Sequence, residues 1–299
     1  PPSAVGSIAS AVAASHLLEL DAKAMASAIG IASSRLGGTL ANVGSMTKAL
    51  HCGDAAAHGL EAALLASRGF TADADAIAGP RGWGPVLFGD NFDTKPLLDP
   101  IGVPRILDPG PAFKLYPSQY ATHFAITAAL QARKEIPTPG DISCVELQVP
   151  EMPYIDRPYP ESGLAGKFSW QYTAAAALLD GRVDRLTFSD LRRHSPDMKS
   201  MLDNTRLVCD GAIPADFTRM HVGIRVHMAD GRIVHRRCES PPGSSLDADV
   251  LTQLVKDKAR GLLGEALGTP AADRVMELLE QPPQRIAATE LMRQLSSKH

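Results

Sequence analysis

The segment Ile142-Ser-Cys-Val-Glu-Leu-Gln-Val149, near the middle of the chain, decides the fold class. Its apolar residues fall largely on alternate positions, which is typical of a strand that is buried on one face. A second alternating run, residues 221–228, is followed by the turn Asp230-Gly231 and then by residues 232–238, which predicts a β-hairpin. Because these strands are grouped in the sequence instead of alternating with helices, the pattern favours an α+β region over a doubly wound sheet.

Helical patterns precede the strands. Small and apolar residues recur at spacings of three and four over residues 5–20, and alanine-rich helices are predicted at 22–33 and 55–67. Asp21 and Asp54 stand where the N-caps of the second and third helices would be. The scarcity of aromatic residues, 5% of the chain, predicts helices that pack closely through small side chains.

Further helices surround and follow the strands. They are predicted over residues 118–134, 169–179 and 187–203, and as three pieces after Pro241-Pro242-Gly243. We therefore expect a mostly α protein in which an α+β region lies between two helical parts of the sequence. Gly and Pro clusters near residue 111 indicate a domain boundary there.

The composition is that of a globular protein, with 44% hydrophobic and 21% charged residues in a chain of 299. A formal net charge of −3 gives no basic footprint for nucleic acid, and no apolar run of about 18 residues is present to span a membrane. Four cysteines without a Cys-x-x-Cys pair favour a reducing compartment, and hence a cytoplasmic location. The start at Pro1-Pro2, without methionine and directly before a helical pattern, suggests a chain cut within a domain.

Three segments carry side chains suited to catalysis. In the first, Lys48 and His51 lie three residues apart just before a predicted helix, so one helical turn would place them on one face. A lysine and a helix N-terminus together attract an anion. The alternative is a solvated Lys48 and a His51 that packs locally.

The second segment brings Lys114 close to another helix, on which His123 sits among apolar residues; a histidine in that setting is more often a core residue than a catalyst. The third segment, residues 153–160, is a proline-rich loop with Tyr154, Arg157 and Tyr159, and its alternative is a packed surface loop. No phosphate-binding glycine loop, nucleophile elbow or zinc motif is present, so no metal site is predicted.

In combination, four stretches resemble the signatures of the MmgE/PrpD family, which contains 2-methylcitrate dehydratases, cis-aconitate decarboxylases and iminodisuccinate epimerases. The stretches occur in the family's order and are Gly44–Thr71, Lys114–His123, Lys167–Gly181 and Pro241-Pro242-Gly243. The resemblance extends over essentially the whole chain.

The resemblance implies a large helical domain made from residues 1–110 and 248–299, with an α+β lid at 111–247. Members of the family are typically homodimers and use neither a metal nor an organic cofactor. Lys48 and Lys114 match the family's two active-site lysines, and His51 matches the histidine after the first. Tyr154 is the best match for a lid tyrosine.

Tyr159 is the alternative match for that tyrosine, and together with His123 it is expected to help bind substrate.

By resemblance the chain lacks the first part of the family's helical domain, so an N-terminal segment or partner chain would supply the rest. The implied reaction is a lyase reaction on a small di- or tricarboxylate, by proton transfer next to a carboxylate, as in 2-methylcitrate dehydratase. Epimerisation, decarboxylation and an inactive binding or dimerisation remnant are the alternatives.

Overall fold

In the computed structural model of the chain, residues 2–98, 102, 104, 106, 112–241, 243, 248–282 and 285–296 are described. The chain divides into two units, Pro1–Pro109 and Gly110–His299. The first unit is helical and the second contains all of the described strands. The predicted fold class, mostly α with an α+β region, is confirmed.

Among the described residues of the first unit, three long helices are followed by two short ones. They are α1 (Pro2–Leu17), α2 (Ala22–Ser33), α3 (Thr47–Ser67), α4 (Trp83–Phe88) and α5 (Lys95–Leu98).

Close contact between α1 and α3 depends on small residues. A Cβ added to Gly59 of α3 would collide with the Ser10 side chain and with the backbone nitrogen of Ala11 on α1. The buried core between the three helices is almost entirely alanine, with Ile31 as its largest member. The predicted packing through small side chains is confirmed.

The start of α3 differs from the prediction. The helix begins at Thr47, two turns before the predicted Ala55, and Asp54 lies inside it instead of capping it. Gly53, which precedes the predicted start, faces open space inside the helix, and a helix tolerates an exposed glycine at a cost of about 1 kcal/mol. The predicted cap of α2 is correct, since the Asp21 carboxylate accepts a hydrogen bond from the Ala24 N–H at 2.7 Å.

The second unit is built on a four-stranded sheet with the order β2-β1-β3-β4. Its strands are β1 (Ile142–Val149), β2 (Thr205–Cys209), β3 (Val222–Met228) and β4 (Ile233–Cys238). β1 pairs with β2 in parallel and with β3 antiparallel, and β3 and β4 form the predicted hairpin.

In the described part of this unit, eight helices accompany the sheet. They are α6 (Thr122–Arg133), α7 (Gly163–Gly166), α8 (Trp170–Asp180), α9 (Asp190–Arg193), α10 (Pro196–Asp203), α11 (Ala248–Leu267), α12 (Thr269–Leu279) and α13 (Ala288–Leu295). The core lies where α6 and α8 pack on one face of the sheet, and most residues of these two helices are buried.

One prediction in this unit is wrong, and one strand was missed. The helix predicted over residues 187–203 is split into α9 and α10, because Pro196 disfavours the helical conformation in the residue before it and starts a new helix. β2 was not predicted, because it is a five-residue edge strand that is mostly exposed and therefore lacks a buried alternate face.

The C-terminal helices contact the rest of the second unit. The Lys258 ammonium of α11 donates a hydrogen bond to the Lys114 carbonyl, and Glu265 pairs with Arg185 at 2.6 Å. The three-helix prediction for this region is confirmed. The assignment of residues 248–299 to the helical domain stays a prediction.

Candidate functional site

In the first unit, Lys48 and His51 lie on the first turns of α3. The condition for placing them on one face, that this segment is helical, is therefore met. The Lys48 side chain is exposed and His51 is half-buried. The first turn of α3 contains no acidic residue, and no side chain caps it. The positive end of the helix dipole and the lysine charge therefore coincide.

His51 is seated against the turn that follows α2. A Cβ added to Gly38 would lie 3.0 Å from His51 Nδ1, and Gly38 has φ +92°, in the left-handed region that favours glycine. The Ser3 hydroxyl fastens the same turn by donating to the Gly37 carbonyl at 2.6 Å.

A cavity of about 60 Å³ adjoins the histidine. Its lining is rich in polar and ionisable side chains, which are Ser3, Ser7, Arg35, His51, Asp54 and His58. Asp54 was predicted only as a helix cap, and His58 was not predicted as a site residue. They lie three and seven residues after His51, so helical periodicity places all three on one face once α3 is known to begin at Thr47.

In the second unit, Lys114 lies in the loop before α6, and neighbouring backbone groups hold that loop. Its ammonium donates to the Ser118 carbonyl at 3.2 Å, while its own carbonyl accepts from Lys258. Gly243, the glycine of the fourth stretch, has φ +107°, and a Cβ there would collide with the Phe113 carbonyl oxygen. The fourth stretch therefore packs against the residue that precedes Lys114.

Tyr154 also reaches this loop. Its phenol oxygen accepts a hydrogen bond from Gln119 Nε2 at 2.7 Å. Burial raises the pKa of the Tyr154 phenol, although 46% of the residue surface remains exposed. Lys114 and Tyr154, predicted from separate stretches, are thus linked through the consecutive residues Ser118 and Gln119.

Gln119 is a residue that the sequence prediction missed. Its Oε1 accepts from the Ala121 N–H at 2.6 Å, and its own N–H donates to the Lys167 carbonyl at 2.9 Å. A polar residue just before a long buried helix is a signal that could have found it, because the first N–H groups of a helix need acceptors.

The third stretch anchors the tyrosine loop. The Ser169 hydroxyl, which caps α8, donates to the Arg157 carbonyl at 2.6 Å, and Gln171 Nε2 donates to Asp156 at 2.7 Å. The Arg157 guanidinium lies over the Phe168 ring at 5.8 Å. Residues 153–160 therefore form a packed surface loop, which was the alternative to a catalytic loop. The same packing brings Tyr154 to Gln119.

Tyr159 faces a different neighbourhood. Its phenol lies near Asp203 and contributes to the lowered pKa of that carboxyl, whose main partner is Lys199 at 2.7 Å on α10. The two tyrosines of the loop therefore have different neighbours.

His123 is completely buried on α6. Its ring lies 5.2 Å from that of Tyr116 and 5.3 Å from that of Tyr120, measured between centroids. Burial, followed by the positive charge of Lys114, lowers the pKa of His123 from 6.5 to about 4. His123 therefore lies in the core, as is more usual for a histidine among apolar residues. The role of His123 in substrate binding stays a prediction.

The described parts of the chain hold no cluster of three or more His, Cys, Asp or Glu side chains that could bind a metal ion. Within the same parts, no helix is both long and apolar enough to cross a lipid bilayer.

Comparison with known families places each unit in the same class. The MmgE/PrpD N-terminal domain matches residues 1–95, and the MmgE/PrpD C-terminal domain matches residues 116–281. The chain belongs to the MmgE/PrpD family.

Curated relatives give a finer comparison. Cis-aconitate decarboxylase of Mus musculus is 32% identical over 247 residues, which cover 80% of this chain and 50% of the relative. Cis-aconitate decarboxylase of Homo sapiens is 34% identical over 238 residues, covering 77% of this chain and 49% of the relative. The chain spans about half the length of these relatives.

Proposed function

We propose that the chain provides the carboxylate-binding part of a lyase that acts on a small di- or tricarboxylate by proton transfer at a carbon next to a carboxylate. The negative charge that develops at such a carbon must be met by fixed cations and hydrogen-bond donors. Lys48 and Lys114 supply the cations, and Tyr154 and His51 supply groups able to donate or exchange a proton. No metal or organic cofactor enters the proposal.

The strongest support comes from the hydrogen-bonded run Lys114–Ser118–Gln119–Tyr154 in the second unit. Two side chains that are 40 positions apart in the sequence, an ammonium and a phenol, are brought to one loop. This pairing suits a carboxylate, which accepts hydrogen bonds from both groups.

The start of α3 gives separate support in the first unit. A lysine in the first turn opposes the helix dipole and so disfavours the helix itself. The same arrangement favours an anionic ligand, because a carboxylate there interacts with the helix N-terminus and the ammonium together. The Gly38 turn against His51 fixes a second ionisable group on the same helical face.

The relatives favour decarboxylation among the reactions of the family, since both are named cis-aconitate decarboxylase. The sequence favoured dehydration of the 2-methylcitrate type. A product assay with one substrate for each reaction distinguishes dehydration, decarboxylation and epimerisation. We keep Tyr154 ahead of Tyr159 as the tyrosine at the site, because Tyr154 is hydrogen-bonded to Gln119 in the loop of Lys114, whereas Tyr159 lies near Asp203. The homodimer and the inserted lid at 111–247 remain part of the proposal.

The test is a product assay by nuclear magnetic resonance with cis-aconitate, 2-methylcitrate and iminodisuccinate as separate substrates. It is run on the chain alone and on the chain extended at its N-terminus by the corresponding segment of a relative. Turnover that is lost in Lys114→Gln and retained in Lys134→Gln, an exposed lysine at the far end of α6, supports the proposal. No turnover and no binding in either folded sample supports the inactive remnant instead.

A further inference from the structure

The orientation of the Gln119 side-chain amide is fixed by its backbone neighbour. The Ala121 N–H can only donate, so the amide atom 2.6 Å away must be the oxygen, Oε1. The other end of the amide is then the nitrogen, and it is this nitrogen that lies 2.7 Å from the Tyr154 phenol. Gln119 is therefore the donor and the Tyr154 oxygen is the acceptor.

This direction determines where the phenol proton points. A phenol has one O–H donor and can also accept. Because Gln119 occupies an acceptor position of Tyr154, the O–H remains available for a different partner, and the residue is exposed enough to meet one. A carboxylate at position 119 would instead take that proton for itself.

We propose that Gln119 is a positioning residue that keeps the Tyr154 O–H directed towards a carboxylate of the bound substrate. The inference rests on the proposed function, since it needs a carboxylate ligand close to Lys114. The Gln119 side chain has two roles. Its oxygen accepts hydrogen bonds from N–H groups at the start of α6, and its nitrogen orients Tyr154. A residue with only a capping role would need the oxygen alone.

Gln119→Glu separates the two roles. The glutamate is nearly the same size and keeps an oxygen for the Ala121 N–H, with its charge at a helix N-terminus, where it is favourable. Its second oxygen can only accept, so Tyr154 must turn its O–H towards position 119. The matched control is Gln131→Glu, which adds the same charge at an exposed position of α6.

The experiment combines a titration with a binding measurement. Carbon-13 at Cζ of tyrosine reports the ionisation of each of the five phenols, and Tyr154→Phe identifies the Tyr154 signal. Calorimetric titration with cis-aconitate gives Kd for the wild type, Gln119→Glu, Gln131→Glu, Tyr154→Phe and the double variant Gln119→Glu/Tyr154→Phe. Thermal unfolding confirms that each variant is folded.

We expect the pKa of Tyr154 to rise in Gln119→Glu and not in Gln131→Glu, because a carboxylate beside a phenol disfavours the phenolate. Kd should rise about 10-fold or more in both Gln119→Glu and Tyr154→Phe, the loss expected for one hydrogen bond to a charged group. The double variant should bind no more weakly than Tyr154→Phe alone.

Wild-type affinity in Gln119→Glu, an unchanged Tyr154 pKa, or additive losses in the double variant would overturn the role of Gln119. Such a result would leave the proposed function standing if binding of cis-aconitate still depends on Lys114. A wild-type chain that binds no cis-aconitate would overturn both.

Discussion

The imidazole of His51 lies directly against Gly38, at the distance where a single added Cβ would touch Nδ1. The contact joins the first turns of α3 to the turn after α2, and Ser3 of α1 holds that turn through the Gly37 carbonyl. Three separate parts of the first unit thus determine where one ionisable side chain sits. A histidine held in this way is better suited to proton exchange than one that moves freely in solvent.

Gly38→Ala should disturb this arrangement, whereas Gly37→Ala should not. Alanine at 38 meets Ser3 and His51 and must also adopt φ +92°, so we expect unfolding to become easier by about 1–3 kcal/mol. A Cβ at 37 meets nothing within 4 Å. Urea unfolding of the two variants measures the difference. Equal stability of the two would show that His51 is not seated against the turn.

Lys48→Gln should stabilise the chain while weakening its binding of a tricarboxylate. Removing a cation from the first turn of α3 relieves an unfavourable interaction of about 0.3–1 kcal/mol with the helix dipole. The same change removes one cation from the proposed anion site. Lys23→Gln, an exposed lysine in the first turn of α2, is the control for stability, because it should give a similar gain without loss of binding.

The stability of the chain should fall as the pH is lowered from 6.5 towards 4. The folded state holds the pKa of His123 at about 4, whereas the unfolded chain takes up the proton near 6.5. The unfolded state therefore binds more protons across this window, and protonation draws the equilibrium towards it, by up to about 3 kcal/mol.

Denaturant unfolding at several pH values checks this dependence. In His123→Phe the contribution should disappear, while His16→Gln, which changes an exposed histidine, should keep it. An unchanged slope in His123→Phe would assign the dependence to other groups.

Asp21→Ala should cost about 1 kcal/mol of stability, and Asp54→Ala clearly less. Asp21 accepts the Ala24 N–H as an N-cap, whereas Asp54 lies within α3. The free energies of unfolding of the two variants, compared with wild type, measure this. A larger loss in Asp54→Ala would favour a helix that begins at residue 55, as the sequence pattern predicted.

The elements that the sequence predicted well are those whose signals are local and consistent. β1 and the hairpin were found because their buried residues alternate, and α2 because a cap precedes an alanine-rich run. The start of α3 was misplaced because Lys48, His51 and Gly53 have the composition of a loop. β2 was missed because its place at the edge of the sheet is set by pairing with β1, which no local pattern reports.

In the candidate site, too, the positions set by local spacing could be predicted and those set by tertiary contacts could not. Lys48 and His51 could be placed on one face by spacing alone, and Lys114 could be placed before α6. Gln119 could not be connected to Tyr154, because the hydrogen bond joins residues 35 positions apart and depends on how Ser169 and Gln171 hold the tyrosine loop. Such contacts form only when the chain is packed, and they produce no periodic pattern in the sequence.

The most direct test of the account is calorimetric titration of the chain with cis-aconitate, comparing wild type with Lys48→Gln and Lys114→Gln and, as controls, with Lys23→Gln and Lys134→Gln. We expect saturable binding by the wild type and both controls, and a Kd at least about 10-fold higher in each of the first two variants, as for loss of a charge-assisted hydrogen bond. Equal affinity in all five proteins, or no binding by the folded wild type, would contradict it.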